Sequence, residues 1–565
     1  MKFSSNPGQK PESNRFESER SKGNQGRYQR RFLALGLLLI FLICPPSFLF
    51  SPGSVNLSES EYWQKTALTS SVVDSYIDRD LCYKNIMSFF GCLNAIRQVR
   101  SVIQDQELDL KIKENSDGNW AIKFRTTRKV QFKSLDKLLA SLKTQSENRI
   151  SEWKNLYNAT LKQKLPFNTI IKKIISIGKP EDESMLSAVA VNSFVSYAHS
   201  PHDHILPLQM VNDQAQNQTE EYKGIGVILR PIASHLVVIR TLPDSPARRS
   251  GLLSGDILTK IQDKPVFDMS LSEASEAITR IKDDKVRIQF FRNGQTLKTT
   301  VVKTEVELKN VTFYKHNSKK NTWGVIRIDT FQKEETCADV EDALYNLETE
   351  NKVDGLILDM RDNPGGLVDQ ALCVADLFLP KNIRMLEVRS FLSAKDVKVY
   401  TSKFQKVSSL PMITLVNSGT ASSAEIVSGI LRENNRTLII GQRTYGKGTI
   451  LSGQPFRAAP GKDIVHYQTF AQFYFPSGRS YHAKGINPDI ELPSMASRSS
   501  SFRESDLPYY HILGALQTID EDSSPYSNFY LSSELTRCTH LAQNQEEPTE
   551  SAMSALGCLT ASKNQ

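Results

Sequence analysis

Hydrophobic and polar positions divide the chain into regions of different periodicity. From residue 55 to about 218, apolar residues recur at helical spacing in a polar background, which predicts amphipathic helices at 72–100, 135–163 and 167–197. From 219 to 307 the pattern shortens to strands at 236–240, 257–262, 286–292 and 296–302, with one helix at 271–281. Beyond 308 it alternates. Apolar runs at 322–330, 355–360 and 411–416 are each followed by a helical pattern, at 335–348, 367–379 and 424–431. Such alternation predicts parallel βαβ units, which hold ligands at the carboxyl ends of their strands. A further strand is predicted at 465–475. From 493 to 565 the composition turns Ser/Glu/Gln-rich and reads as a peripheral C-terminal extension.

Length adds a bound: 565 residues are too many for one core and imply three or four domains. A content of 39% hydrophobic and 23% charged residues is that of a soluble globular protein. The formal charge is +8, but the basic residues are dispersed, so nucleic acid is not an expected partner. Part of the excess lies in residues 1–31, with eight Lys/Arg against three Glu, a basic N-terminus expected to stay in the cytoplasm. It runs into thirteen apolar or small residues from Phe32 to Cys44, within a segment 32–50 that fits a signal peptide or a membrane anchor. Either way the chain is expected to be exported, to the periplasm or another extracytoplasmic space, with anchoring in the inner membrane as one outcome. The six cysteines after Cys44 fall into local pairs, Cys82 with Cys92, Cys337 with Cys373 and Cys538 with Cys558, which suggests disulfides in an oxidising compartment. No Cys-x-x-Cys spacing points to zinc. His199-Ser200-Pro201-His202-Asp203-His204 resembles a metal cluster, but Pro201 breaks the helix, so these are read as polar loop residues. No metal or cofactor is expected.

Candidate chemistry centres on Asn417-Ser418-Gly419-Thr420-Ala421-Ser422-Ser423-Ala424-Glu425 and Thr444-Tyr445-Gly446-Lys447-Gly448-Thr449. The first follows a buried strand and opens a helix, which puts Ser422 where free backbone N–H groups favour a developing oxyanion. A serine needs a base, and Lys447 lies twenty-five residues on, between two glycines. Two structural alternatives stand beside this. Ser422 and Glu425 also form a capping-box pattern, and Gly-Lys-Gly is also an ordinary turn. Gly365-Gly366, after the strand at 355–360, could complete an oxyanion hole with the amide of Ser423 or Ser422, or be a plain tight turn.

Gly419-Thr420-Ala421-Ser422-x-x-Glu425 followed by Thr444-Tyr445-Gly446-Lys447-Gly448 resembles the carboxyl-terminal processing peptidases, or tail-specific proteases. The resemblance runs from about 170 to 492 and includes Arg361-Asp362-Asn363-Pro364-Gly365-Gly366 and 484–489. Asp244-Ser245-Pro246-Ala247, Ser250-Gly251-Leu252 and Gly255-Asp256-Ile257-Leu258 resemble a PDZ domain of the bacterial protease type. It implies a crotonase/ClpP-like α/β peptidase core with an inserted PDZ domain and a helical N-terminal region. It also implies a serine endopeptidase with Ser422 as nucleophile, Lys447 as base and Gly365, Gly366 and Ser423 at the oxyanion. In the PDZ module, Gly224, Ile225, Gly226 and Val227 would hold a substrate C-terminus, unless they are only a glycine turn between strands. The implied partners are proteins or peptides with exposed C-termini, with a second copy of the chain or an adaptor as further partners. Two positions depart from the family. Ser200 stands where an Asp precedes Pro-His, and Leu451 stands where a glutamine orients the lysine, which leaves Thr449 or Gln454 for that task. An inactive PDZ peptide-binding scaffold is the alternative function. A Ser-His-Asp hydrolase using His466 or His482 lacks a motif.

Overall fold

The computed structural model describes residues 59–563 with gaps, the longest at 493–502 and 511–531. The basic start, the apolar segment 32–50 and Cys44 lie outside the described residues. No described helix is long and apolar enough to cross a membrane.

The region before 218 packs helices α1 (Ile86–Gln104), α2 (Leu135–Thr160), α3 (Phe167–Ile175) and α4 (Glu183–Ala198), together with a hairpin of β1 (Leu108–Glu114) and β2 (Trp120–Thr126). Almost every residue of α1 from Met87 to Ile96 is buried, so this helix is the axis around which the others pack. The predicted helix at 72–100 is interrupted. The Asp78 carboxylate accepts from Leu81 N–H at 2.7 Å and restarts the chain as a new helix, and the Cys82–Cys92 disulfide ties that restart to α1. The stretch 167–197 likewise divides, around Gly178 and Pro180. The hairpin was not predicted, although Leu108, Leu110 and Ile112 alternate with charged residues at a strand's period of two.

After α4 a short loop leads into β3 (His204–Pro207). The second module then orders its strands β8-β7-β6-β5-β4, from β4 (Val227–Ile232), β5 (His235–Thr241), β6 (Ile257–Ile261), β7 (Lys285–Arg292) and β8 (Gln295–Val302), with helix α5 (Leu271–Thr279) on one face. Its first and last residues pair with each other, Tyr222–Gly224 against Thr304–Val306, so the module leaves the fold and returns at one place.

The core sheet has the order β9-β10-β11-β14-β15-β18, formed by β9 (Val311–Asn317), β10 (Thr322–Ile328), β11 (Gly355–Asp359), β14 (Met412–Val416), β15 (Leu438–Gly441) and β18 (Ile490–Glu491). All pairs but β9/β10 are parallel. Helices α6 (Thr336–Tyr345), α7 (Val368–Asp376) and α8 (Ser423–Glu433) are the crossovers, with Cys337–Cys373 joining α6 to α7. A second sheet orders β12 (Arg384–Ser390), β13 (Val397–Thr401), β16 (Thr449–Ala459) and β17 (Lys462–Tyr474) as β13-β12-β17-β16, and β3 pairs with β17 beside β12. Strands β11 and β14 are buried along their whole length, as a parallel sheet covered on both faces requires.

The second cover comes from the extension read as peripheral. Helices α9 (Ser532–Gln543) and α10 (Pro548–Lys563), joined by Cys538–Cys558, lay Ala552, Ala555, Leu556 and Leu559 over Trp323, Val325, Ile357, Ile413 and Leu415. Leu556 fills the space that Gly355 leaves open on β11, where an added Cβ would meet its Cδ2 at 3.0 Å. Leu556→Ala is expected to lower the unfolding free energy by about 2–5 kcal/mol, read from urea denaturation. A loss under about 0.5 kcal/mol would mean that the extension does not cover this face in solution.

Candidate active site

Strand β14 ends at Val416 and α8 begins at Ser423, so six residues turn the chain through the carboxyl edge of the sheet. Ser422 takes φ +53° and ψ −118°, a conformation that costs an L-residue about 1–3 kcal/mol. A strained serine between a strand and a helix presents its hydroxyl at the sheet edge, the arrangement of a nucleophile elbow. Ser422 is 5% exposed. The turn is held by Ser422 N–H to Glu425 Oε2 (3.0 Å) and by Ala421 N–H to the Asn363 carbonyl (2.9 Å).

The turn after β11 packs against it. Burial works against a charge on Asp359, but Arg361 and Arg327 outweigh it and hold the carboxyl well below the usual range. Asp362 and Asn417 exchange two hydrogen bonds at 2.8 Å, tying the two turns together. Gly365, at φ +98°, lies so close that a Cβ would sit 2.8 Å from Ser422 Cβ and from Ser423 N. Its N–H, however, donates to Asn363 Oδ1 at 2.8 Å. Gly365 therefore serves by lacking a side chain, and the expectation that it donates to an oxyanion is corrected. Ser423 Oγ donates to the Gly366 carbonyl at 2.7 Å, which orients that peptide beside the Ser423 amide. No acceptor takes the N–H of Gly366 or Ser423 among the described residues.

Lys447 reaches the same place through Glu425. Its buried carboxylate accepts from Ser422 N–H and Lys447 N–H (2.8 Å) on Oε2, and from Gly446 N–H (2.8 Å) and the Thr444 hydroxyl on Oε1. Burial pushes this carboxyl up to about 7 against the pull of all four donors. Lys447 is 2% exposed. Among the described residues no hydrogen bond joins Ser422 Oγ to Lys447 Nζ. Glu425 thus joins the backbones of the serine turn and the lysine loop, while the Ser422 and Lys447 side chains are not bonded to each other.

Around Lys447 the surroundings differ from those expected. Leu451 is 0% exposed and packs with Leu206, Val465 and Tyr467. Gln454 bonds the Ser452 hydroxyl at 2.9 Å on the exposed part of β16, away from the lysine loop. Thr449 is buried, and its hydroxyl has no hydrogen-bond partner among the described residues. The loop 199–204, read as polar, is partly interior. His202 and Asp203 are both buried; His202 Nε2 meets Glu504 Oε1 at 2.7 Å, and Asp203 Oδ1 accepts from Thr469 N–H at 2.7 Å. Glu504 belongs to residues 503–510, which return over the lysine loop: Glu504 N–H bonds the Tyr445 carbonyl and Arg503 the carbonyls of Arg443 and Thr444. Tyr510 donates to Glu504 at 2.8 Å and meets His482 Nε2 at 2.9 Å, while His482 Nδ1 accepts from Gly448 N–H at 3.3 Å. Both His482 nitrogens are thus engaged, and burial lowers it to about 4. The His466 ring packs edge-on against Tyr76. Sequence patterns missed Glu425 as a bridge, although a glutamate three residues after the serine in a helix's first turn was its signal. They had no signal for Asp203 or Glu504.

In the second module β4 is the free edge of its sheet, next to α5, with Leu229, Ala274 and Ile278 in the core beneath. The carbonyls of Ile225 and Gly226 accept from Ala247 and Leu242, which points the loop 224–227 one way, and Gly226 at φ +68° abuts Ser245. No acceptor takes the N–H of Ile225 or Gly226 among the described residues. Asp256 in the Gly-Asp signature is structural, paired with Arg292 through two bonds of 2.7 Å.

A strained serine and a buried lysine at the edge of an α/β sheet, joined to a module with a free strand edge, define a serine-peptidase-type core with a peptide-binding domain. Residues 322–492 match peptidase family S41 and residues 223–302 match the PDZ domain. The chain thus carries a peptidase family S41 domain and a PDZ domain, and carboxy-terminal-processing and CtpA-like proteases are among its relatives. It is 24% identical over 331 residues to the "Probable CtpA-like serine protease" of Staphylococcus haemolyticus, covering 59% of this chain and 65% of that one. It is 29% identical over 341 residues to the "Carboxy-terminal-processing protease" of Bartonella bacilliformis, covering 59% and 75%. Among solved structures it is similar to the photosystem II D1 C-terminal processing protease, at 22% identity and a TM-score of 0.45, covering 64% and 94%. The chain spans just under two thirds of the length of the staphylococcal relative.

Glu425→Gln would turn one acceptor oxygen into a donor facing donors. It is expected to lower stability by about 2–4 kcal/mol in urea denaturation and to abolish labelling of Ser422 by a fluorophosphonate. Unchanged labelling would remove Glu425 as the bridge. Glu504 gives a second expectation, in pH. Burial opposes its charge, but His202, His482 and Tyr510 outweigh it and bring it down to about 2. Its stabilising contribution is complete above the ordinary value of 4.5 and is lost as pH falls toward 2, a loss of about 3 kcal/mol. Glu504→Gln should flatten the fall of unfolding free energy across that window; an equally steep fall would contradict it.

Proposed function

We propose that the chain is a serine endopeptidase that captures the exposed C-terminus of a protein substrate on its PDZ module and cuts the substrate with a Ser422–Lys447 pair. The observation that carries this is the strained Ser422 turn held by the same carboxylate that holds the Lys447 loop. Lys447 Nζ, arriving as the free amine, takes the Ser422 Oγ proton as Oγ bonds the scissile carbonyl carbon. The carbonyl oxygen becomes an anion held by the amides of Gly366 and Ser423. As the C–N bond breaks, Lys447 gives its proton to the leaving amine, and a water then cleaves the ester and returns Ser422. Residues 224–227 hold the substrate carboxylate and β4 pairs with its last residues. The core is inferred to have the crotonase/ClpP-like arrangement behind a helical N-terminal region. The basic start and the segment 32–50 support export, by a signal peptide or as a membrane anchor, to the periplasm or an equivalent space; a second copy or an adaptor is a further partner.

A second reading rests on Leu451 and on the missing Ser422–Lys447 bond: a PDZ scaffold that binds peptides without cutting them. Protein beginning at residue 55 and an unstructured peptide with a free apolar C-terminus separate the two. Cleavage is expected, and a loss of at least about a thousandfold in Ser422→Ala and in Lys447→Ala. Binding without cleavage by the unmutated protein would establish the scaffold instead.

A further inference from the structure

Asp203 carries a buried carboxylate that the chemistry above does not use. One oxygen is satisfied by Thr469 N–H, and the other, Oδ2, is buried without a hydrogen-bond partner among the described residues. Such an atom is costly unless something faces it. Strand register says what does. Thr469 is opposite Leu451 across β17 and β16, and Thr449, two residues beyond Lys447, begins the same strand with its own buried hydroxyl unpartnered among the described residues. Asp203 therefore sits at the end of β16 that Lys447 enters, beside Leu451. Lys447 is one of the charges that act on its carboxyl, and on the His204 and His482 rings that wall the same space. Leu451 cannot hydrogen-bond, and Gln454 is turned away.

We propose that Asp203, delivered by the loop between α4 and β3, is the positioning residue for Lys447, with Oδ2 aiming the amine at Ser422 in place of the absent glutamine. The inference rests on the Ser422–Lys447 reading for its catalytic part, but the Asp203–Lys447 contact does not. Lys447 is 2% exposed and Glu425 holds only its backbone, so a buried carboxylate oxygen without a partner among the described residues is suited to orient the amine.

Contact and role are tested separately. For the contact, urea midpoints are measured for Asp203→Asn, Lys447→Met and the double variant. Asn keeps an acceptor for Thr469 N–H, so the strand stays anchored. Shifts that fail to add are expected; additive shifts overturn the proposal whether or not the protein cleaves peptides. For the role, peptide hydrolysis is followed in Asp203→Ala and in Asp203→Ala combined with Leu451→Gln. The single variant is expected to lose roughly ten- to a hundredfold in kcat with KM within twofold, and the glutamine to recover at least tenfold. A purely structural Asp203, needed only to pin β3 to Thr469, predicts a loss that Leu451→Gln does not recover, and that result overturns the positioning role. Absence of cleavage by the unmutated protein would instead sink the peptidase reading, leaving the midpoints to judge the contact.

Discussion

The site depends on one buried carboxylate. Glu425 receives four donors from two segments about twenty residues apart in sequence, and both of its oxygens are doubly engaged. Only an ionised carboxylate has that many acceptor sites and no donor of its own. Serine is held in a backbone conformation it would leave if released, and the strain is retained because the same group that fixes Ser422 also fixes Lys447. Desolvation and the four donors oppose each other, which leaves this carboxyl near 7 rather than far from it in either direction. The arrangement is better understood as a device for geometry than as a source of stability, since burying a charge offsets most of what its bonds contribute.

A second layer comes from outside the matched peptidase region. Residues 202–204 arrive from the helical part, and 503–510 arrive from beyond the last core strand. They meet over the lysine loop, where Glu504 gathers His202 and Tyr510, and Tyr510 passes the network on to His482. Glu504 Oε1 takes both His202 and Tyr510, so one carboxylate oxygen ties the two segments together over the lysine loop. Two peripheral segments of the chain thus complete the wall of the central site, and neither can be removed without opening it.

The parts of this architecture readable in the sequence were those that local pattern controls. Apolar runs such as Gly355–Asp359 and Met412–Val416 declare strands buried on both faces, and the serine and lysine motifs sit at their predicted edge. Where partners lie far apart in sequence, pattern failed. Pro201 reads as the start of a solvated loop, but its neighbours are buried by contacts with residues 469 and 504. Gly365 reads as an oxyanion donor until the Asn363 side chain is seen to occupy its N–H. In the C-terminal extension, polar composition conceals a stripe of small apolar residues whose target, Trp323 with its neighbours, is more than two hundred residues earlier.

The placement of the PDZ module follows from how it is tethered. Pairing its first and last residues gives it a narrow attachment, which alone would let it swing. Helix α2 supplies a second hold. At its beginning, Phe132, Leu138 and Leu139 pack on Val237, Ile257 and Phe291, and Phe132 N–H bonds His235 Nε2 at 2.9 Å. Further along, Ile150 and Trp153 of the same helix are set in the helical core. The clamp uses the sheet face opposite α5, because alternation along β5 sends Val237 one way and Leu236 and Val238 the other. The groove between β4 and α5 is therefore left open by the contacts that hold the module in place.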